Sequence, residues 1–190
     1  MRVGIFGGTF DPPHLGHLIA AGDAHALLAL DRVLWVPAAE PPHKPAAGRT
    51  QPGIRMEMVA AAVAGDERFG VNDLELQRPG PSYTVDTLRQ LRDQWPEVDL
   101  VLLLGADALR DLPTWREPEE ITRLAQLAML SRRGDRVRGS RFAALTVPVT
   151  RIDISATEVR RRVQLGVPIR NLVPDAVRHI IKRERLYLAT

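Results

Sequence analysis

The chain has 190 residues, of which 45% are hydrophobic, so it can bury one substantial core, and no apolar run approaches the roughly 18 residues that a membrane span needs. It contains no cysteine, which excludes a disulfide framework, a thiolate metal site and a cysteine nucleophile. The formal net charge is only +3 and the basic residues are interspersed with acidic ones, which argues against a nucleic-acid-binding face.

Strands and helices alternate along the first half of the chain. Residues 2–6 predict a buried strand, and a helical pattern follows from near Leu15 to about Leu30. Residues 32–36 predict a second strand, and the loop at 37–52 is longer than most connections and therefore a functional candidate. The remaining predicted elements are a helix at 51–64, a strand at 69–73, a helix at 85–94 with Ser82 as its N-cap, and a strand at 99–104.

The second half continues the alternation. It predicts a helix at 118–124, strands at 127–131 and 145–147, a helix that Ser155 or Thr157 caps and that ends at Gln164 before Gly166 as its C-cap, and an amphipathic helix at 173–183. This order predicts an α/β fold of the Rossmann-like, doubly wound kind, with a mostly parallel sheet and helices on both faces. No linker composition interrupts the chain, so residues 1–190 are expected to form a single domain.

The first predicted strand runs directly into a segment suited to phosphate. Gly7 and Gly8 allow the backbone to approach a ligand closely, and ligands of doubly wound sheets bind beyond the carboxyl ends of the strands. His14 and His17 are three residues apart at a helix start, which places both imidazoles on one face of the first turn. That turn also offers backbone N–H groups and the positive end of the helix dipole. The two histidines together could instead bind a metal, with a third ligand from far along the chain, and either histidine alone could be a surface residue or a cap.

A second candidate phosphate site lies near the C-terminus. Ser155 and Thr157 bring hydroxyl groups to a predicted helix start, and Arg160 follows on the next turn. An ordinary helix cap, with Glu158 near the position of a capping-box partner, explains the same residues.

Together the two segments resemble the paired signatures of the nucleotidyltransferase superfamily, Gly-x-Phe-Asp-Pro-x-His-x-Gly-His and Ile-Ser-x-Thr-x-x-Arg. The first signature is matched at Gly8, Phe10, Asp11, Pro12, His14, Gly16 and His17, and the second at Ile154, Ser155, Thr157 and Arg160. The resemblance implies that a substrate phosphate attacks the α-phosphorus of ATP directly, without a covalent intermediate.

The resemblance also implies roles for individual residues. It gives His14 and His17 catalytic contacts to the α-phosphate and the departing pyrophosphate, and it gives Ser155, Thr157 and Arg160 contacts to the β- and γ-phosphates, with Arg160 also counted as catalytic. The ATP-binding residues that it implies are Gly7, Gly8, Thr9, Phe10, His14, His17, Asp107, Ser155, Thr157 and Arg160.

Three further segments resemble bacterial nicotinate-mononucleotide adenylyltransferases. The first, Pro-Pro-His-Lys at residues 41–44, implies that Lys44 is a catalytic and substrate-binding residue near the phosphates. The second, Pro-Ser-Tyr-Thr at residues 81–84, implies that Ser82, Tyr83 and Thr84 receive the nicotinate carboxylate through backbone amides at a helix start. A solvated lysine and a helix cap explain the same residues without a ligand.

The third segment begins at Gly105 and ends at Trp115. The resemblance places Gly105 and Asp107 among the substrate-binding residues, with Asp107 on the adenylyl ribose, and stacks Trp115 on the pyridine ring. Polar neighbours at 113–117 favour this interpretation over a core role for Trp115, whereas Trp35 and Trp95 are assigned to packing.

The sequence therefore predicts adenylyl transfer from ATP to nicotinate mononucleotide, giving deamido-NAD and pyrophosphate. Mg²⁺ is expected to bind mainly through the ATP phosphates, with no metal site made by the protein alone. The alternatives are a pantetheine-phosphate adenylyltransferase and a non-catalytic nucleotide-binding regulator. We expect a cytoplasmic protein without nucleic-acid or membrane partners, and the sequence leaves open whether it forms a homo-oligomer.

Overall fold

The computed structural model describes residues 1–42, 48–131 and 141–188. Its strands are β1 (Arg2–Gly8), β2 (Arg32–Pro37), β3 (Phe69–Val71), β4 (Asp99–Gly105), β5 (Gln126–Ser131) and β6 (Leu145–Pro148). Its helices are α1 (Leu15–Leu27), α2 (Pro52–Val63), α3 (Leu74–Gln77), α4 (Thr84–Gln94), α5 (Ala106–Asp111), α6 (Pro118–Leu124), α7 (Ala156–Gln164) and α8 (Asp175–Arg183), with a 3₁₀ turn at Leu112–Thr114. No helix in the described part of the chain is long and apolar enough to cross a membrane.

The six strands form one sheet in the order β3-β2-β1-β4-β5-β6, and every pairing between neighbours is parallel. This is the strand order of a doubly wound fold, so the predicted fold class is confirmed. The chain builds the sheet outward from β1 in one direction, through β2 and β3, and then crosses to the other side of β1 to add β4, β5 and β6. The direction of strand addition therefore changes between β1 and β4. The carboxyl ends of these two strands therefore mark the place where a ligand is expected.

Side chains alternate between the two faces of the sheet along each strand, so the apolar strands have a hydrophobic surface on both faces. Helices cover both of these surfaces. Ile5 and Leu102 belong to a core cluster that includes Val85 and Leu88 of α4. Their strand neighbours Phe6 and Leu103 belong to a second cluster on the opposite face, with residues of α1 and α2. A third cluster joins α2 to α7 and α8.

Some predicted boundaries are wrong. Ser82 is not the N-cap of α4, since the helix begins at Thr84 after Tyr83. The chain turns into α3 after Val71, where the sequence predicted a strand to residue 73. The C-cap of α7 is Leu165, and Gly166 follows it with a positive φ of 66°. Ser155 is confirmed as the N-cap of α7, because its Oγ accepts a hydrogen bond from Glu158 N at 3.1 Å.

Candidate active site

A crevice of about 640 Å³ opens at the carboxyl ends of β1 and β4. Its volume is in the range of small-molecule sites. The predicted site residues that line it are Gly7, Gly8, Thr9, Ser82, Tyr83, Thr84, Gly105, Asp107 and Trp115. The fold thus brings together segments that are up to about a hundred residues apart in sequence. Lys44 falls outside the described residues, although the neighbouring Pro41 and Pro42 line the crevice.

The two histidines of the first motif lie on one face of the start of α1, as predicted. Their ring centroids are 3.6 Å apart and the rings are stacked at 25°. The backbone N–H of His14 donates to Nδ1 of His17 at 3.2 Å, so a neutral His17 ring carries its proton on Nε2. His17 therefore presents an N–H donor on the side away from the backbone.

Two glycines of the motif make room for its rings. A Cβ on Gly16 would lie 3.1 Å from Nδ1 of His14, and a Cβ on Gly8 would lie 2.8 Å from the ring of Phe10. Phe10 itself is buried and packs edge-on against His17. The ring of Phe10 therefore supports His17 from the core.

The second motif lies against the first. Arg160 Nη1 donates to the backbone oxygen of Asp11 at 2.7 Å, and Nη2 donates to Thr157 Oγ1 at 3.3 Å. Ser155 uses its hydroxyl oxygen in the helix cap, which is the ordinary structural role. Arg160 therefore joins α7 to the backbone of Asp11, in the segment that precedes α1.

Asp11 is a buried carboxylate held by residues that the sequence did not single out. Its Oδ1 accepts from the hydroxyl of Tyr187 at 2.5 Å, and its Oδ2 accepts from Thr50 N at 3.2 Å. Burial, followed by the charge of Asp11, raises the pKa of Tyr187, so the phenol remains a donor. No local pattern could have indicated this contact, because Tyr187 is 176 residues from Asp11.

One wall of the crevice is built around the start of α4. The Oγ of Ser82 accepts from the backbone amides of Ala39 at 3.0 Å and Glu40 at 3.2 Å, so it ties α4 to the loop after β2. The amide of Tyr83 donates to Pro81 O at 3.0 Å. Thr84 is the first residue of the helix, and its amide belongs to the set that no earlier helical turn can satisfy.

A buried carboxyl group, Glu75, also lines this side and was not predicted from the sequence. It is 7% exposed, and Thr87 Oγ1 donates to it at 2.6 Å. Burial raises the pKa of Glu75, and hydrogen bonds from Thr87 and Ser82 oppose that shift.

The third predicted segment follows β4. Asp107 lies in the first turn of α5, its side chain is 89% exposed, and it pairs with Arg110 at 2.9 Å. Trp115 is half-buried: one side packs on the first core cluster, and the residue also lines the crevice. Trp35 is fully buried and Trp95 packs against the core, which confirms their assignment to packing.

Comparison with known proteins identifies the family. The cytidylyltransferase-like family matches residues 5–162. A probable nicotinate-nucleotide adenylyltransferase of Thermus thermophilus is 48% identical over 187 residues, covering 98% of this chain and 100% of that protein. This chain belongs to the nicotinate-nucleotide adenylyltransferase family. The resemblance seen in the two motifs is thereby confirmed, and so is the class of enzyme, a nucleotidyltransferase.

Two further similarities cover nearly the whole of this chain. A probable nicotinate-nucleotide adenylyltransferase of Synechococcus sp. strain JA-3-3Ab is 45% identical over 196 residues, covering 98% of this chain and 95% of that protein. The structure of Plasmodium falciparum nicotinic acid mononucleotide adenylyltransferase complexed with NaAD superposes with a TM-score of 0.83 at 19% identity, covering 98% of this chain and 97% of that one. At that identity the structure supports the fold.

Proposed function

We propose that this adenylyltransferase transfers the adenylyl group of ATP to nicotinate mononucleotide, giving deamido-NAD and pyrophosphate. The observation that carries the proposal is the crevice that joins Gly8 and Thr9 on one side to Thr84 and Trp115 on the other. The names of the relatives, which are nicotinate-nucleotide adenylyltransferases, support the same acceptor.

The proposed reaction needs alignment and charge stabilisation rather than a protein nucleophile. An oxygen of the acceptor phosphate attacks the α-phosphorus, the bond from that phosphorus to the bridging oxygen breaks, and pyrophosphate leaves with the electron pair. The Nε2–H of His17 and the guanidinium of Arg160 supply donors for the charge on the triphosphate, and His14 fixes His17 through its backbone amide. Thr157 and Lys44 are the further phosphate contacts in this proposal.

Mg²⁺ has a place in the proposal as an ion carried by the nucleotide. Among the described residues, no group of three or more His, Cys, Asp or Glu side chains is placed to hold a metal. The crevice offers two carboxylates, Asp107 and Asp111, and Mg²⁺ in such enzymes commonly combines one or two carboxylates with phosphate oxygens. These residues fit an ion held mainly by ATP, which would neutralise charge on the phosphates.

The acceptor is proposed to bind on the α4 side. The amide of Thr84 and the positive end of the α4 dipole suit the nicotinate carboxylate, and Trp115 offers a ring face to the pyridine. Tyr83 completes this wall, with the guanidinium of Arg116 5.0 Å from its ring centroid. A cytoplasmic location is part of the same proposal, because ATP is a substrate.

The test is pyrophosphate release from ATP and Mg²⁺ with one of three acceptors: nicotinate mononucleotide, nicotinamide mononucleotide or phosphopantetheine. The proposal expects the highest kcat/KM with nicotinate mononucleotide. Turnover with phosphopantetheine alone would overturn the choice of acceptor. A folded protein that binds ATP but turns over none of the three would be a regulator instead.

A further inference from the structure

Arg55 lies in the first turns of α2, behind the wall of the crevice, and it is 0% exposed. Its Nε donates to Thr50 O at 2.9 Å and its Nη2 donates to Ala39 O at 3.0 Å. Its Nη1 donates to both Thr9 O, at 2.8 Å, and Ala38 O, at 2.6 Å. One buried guanidinium therefore holds four backbone oxygens from three separate segments.

These oxygens belong to the loops that follow β1 and β2 and to the residues that precede α2. Thr9 follows β1 in the phosphate-binding segment, and Ala39 follows β2. The amides of Ala39 and Glu40 donate to Ser82 Oγ, and the amide of Ser82 donates to Glu40 O at 2.9 Å. A continuous path of hydrogen bonds therefore runs from Thr9 through Arg55 to the residues that precede α4.

We propose that Arg55 is a positioning residue for adenylyl transfer, which holds the triphosphate-binding turn and the acceptor-binding start of α4 at the separation that in-line attack requires. This inference rests on the proposed function. Arg55 acts through Thr9 and Ala38, which line the crevice in front of it. Its effect on rate follows from alignment, since a displacement of about 1 Å between reacting groups can cost about 10²-fold in rate.

The guanidinium group suits this role for a geometric reason. Its planar fork directs three nitrogen atoms at oxygens in different directions, whereas a lysine has a single nitrogen on a flexible stem. Burial lowers the pKa of Arg55, and the carboxylate of Asp11 opposes that shift. Lysine keeps the positive charge and loses the fork, so Arg55→Lys separates placement from charge.

The experiment compares Arg55→Lys with Val63→Ala. Val63 is buried at the other end of the same helix, so Val63→Ala lowers stability without touching the loops. For each variant, kcat is measured per folded molecule, with the folded fraction taken from thermal unfolding, and the Kd of ATP is measured without acceptor. Arg55→Lys is expected to lose about 10²-fold in kcat while the Kd of ATP changes less than about threefold, because His17 and Arg160 are untouched. Val63→Ala is expected to keep its kcat.

A folded Arg55→Lys variant with the kcat of Val63→Ala would overturn the proposal. If Arg55→Lys does not fold, Ser82→Ala weakens the same path one contact further on, because it removes the bonds that Ser82 Oγ accepts from Ala39 and Glu40 and leaves only the backbone bond to Glu40 O. An unchanged kcat in that variant also overturns the proposal. Failure of the proposed function looks different: the wild-type protein would then not turn over nicotinate mononucleotide. The ratio of variant to wild type would still be measured with whichever acceptor the wild type uses.

Discussion

Replacing Tyr187 by phenylalanine removes the phenolic oxygen that bonds the buried carboxylate of Asp11 in the first motif. That hydroxyl donates to Asp11 Oδ1 at 2.5 Å and accepts from Thr50 Oγ1 at 3.3 Å, and Asp11 is only 7% exposed. A buried acceptor that loses a donor costs about 1–3 kcal/mol of folding free energy. Thr50 N still donates to the other carboxylate oxygen, so the middle of the range, about 2 kcal/mol, is expected. For a chain of this length that is a fall in Tm of about 4–8 °C.

The chain supplies a matched control, because its only other tyrosine is Tyr83. Tyr83→Phe makes the same chemical change in the wall of the crevice, where the described residues give the phenol no hydrogen bond, and it should shift the free energy of unfolding by less than about 0.5 kcal/mol. Both variants are followed by thermal unfolding in the absence of nucleotide. Equal Tm values for the two variants would refute the reasoning, since the bond to Asp11 would then contribute nothing.

Three further substitutions test the site itself. His17→Ala should lower kcat/KM by at least about 10²-fold, because it removes a donor to the reacting phosphates. Trp115→Ala should mainly raise the KM for the pyridine substrate and leave the KM for ATP near its original value. Glu75→Gln should change the pH dependence of stability. Burial raises the pKa of Glu75, so folding favours the protonated carboxyl group. The stability that this preference contributes is complete below the ordinary glutamate pKa. It is lost as the pH rises through the raised value.

For each of these three substitutions, one result would contradict the prediction. Wild-type kcat/KM in folded His17→Ala would remove His17 from the mechanism, and a rise in the KM of ATP alone for Trp115→Ala would exclude stacking on the acceptor. For Glu75, the Tm of Glu75→Gln minus that of the wild type is measured from acid to neutral pH. It should increase with pH, and a constant difference would show that Glu75 does not titrate differently in the folded and unfolded chains.

The predictable part of this site is the part that is local in sequence. Gly8, His14 and His17 lie within ten residues of one another, so their spacing alone predicted which side chains would meet. Ser82 was assigned to a cap because a serine near a helix start usually is one, but its partners Ala39 and Glu40 are 43 and 42 residues away. Such pairings depend on how the loops approach one another after the sheet has formed, and no periodicity encodes that.

The distribution of buried polar groups explains why those distant partners matter. Within the described part of the chain, the buried polar or charged residues are Asp11, His14, Thr50, Arg55, Glu75, Ser82 and Thr87. Glu75, Ser82 and Thr87 line the crevice, and Arg55 bonds the backbone of Thr9 and Ala38, which also line it. Burying polar groups costs free energy unless they are hydrogen-bonded, and here the bonds go largely to the backbone of the loops that form the site. The reaction depends on the placement of its two substrates, and the loops that place them are held by buried polar groups whose loss is costly. Substitutions of these groups should therefore lower stability and kcat together.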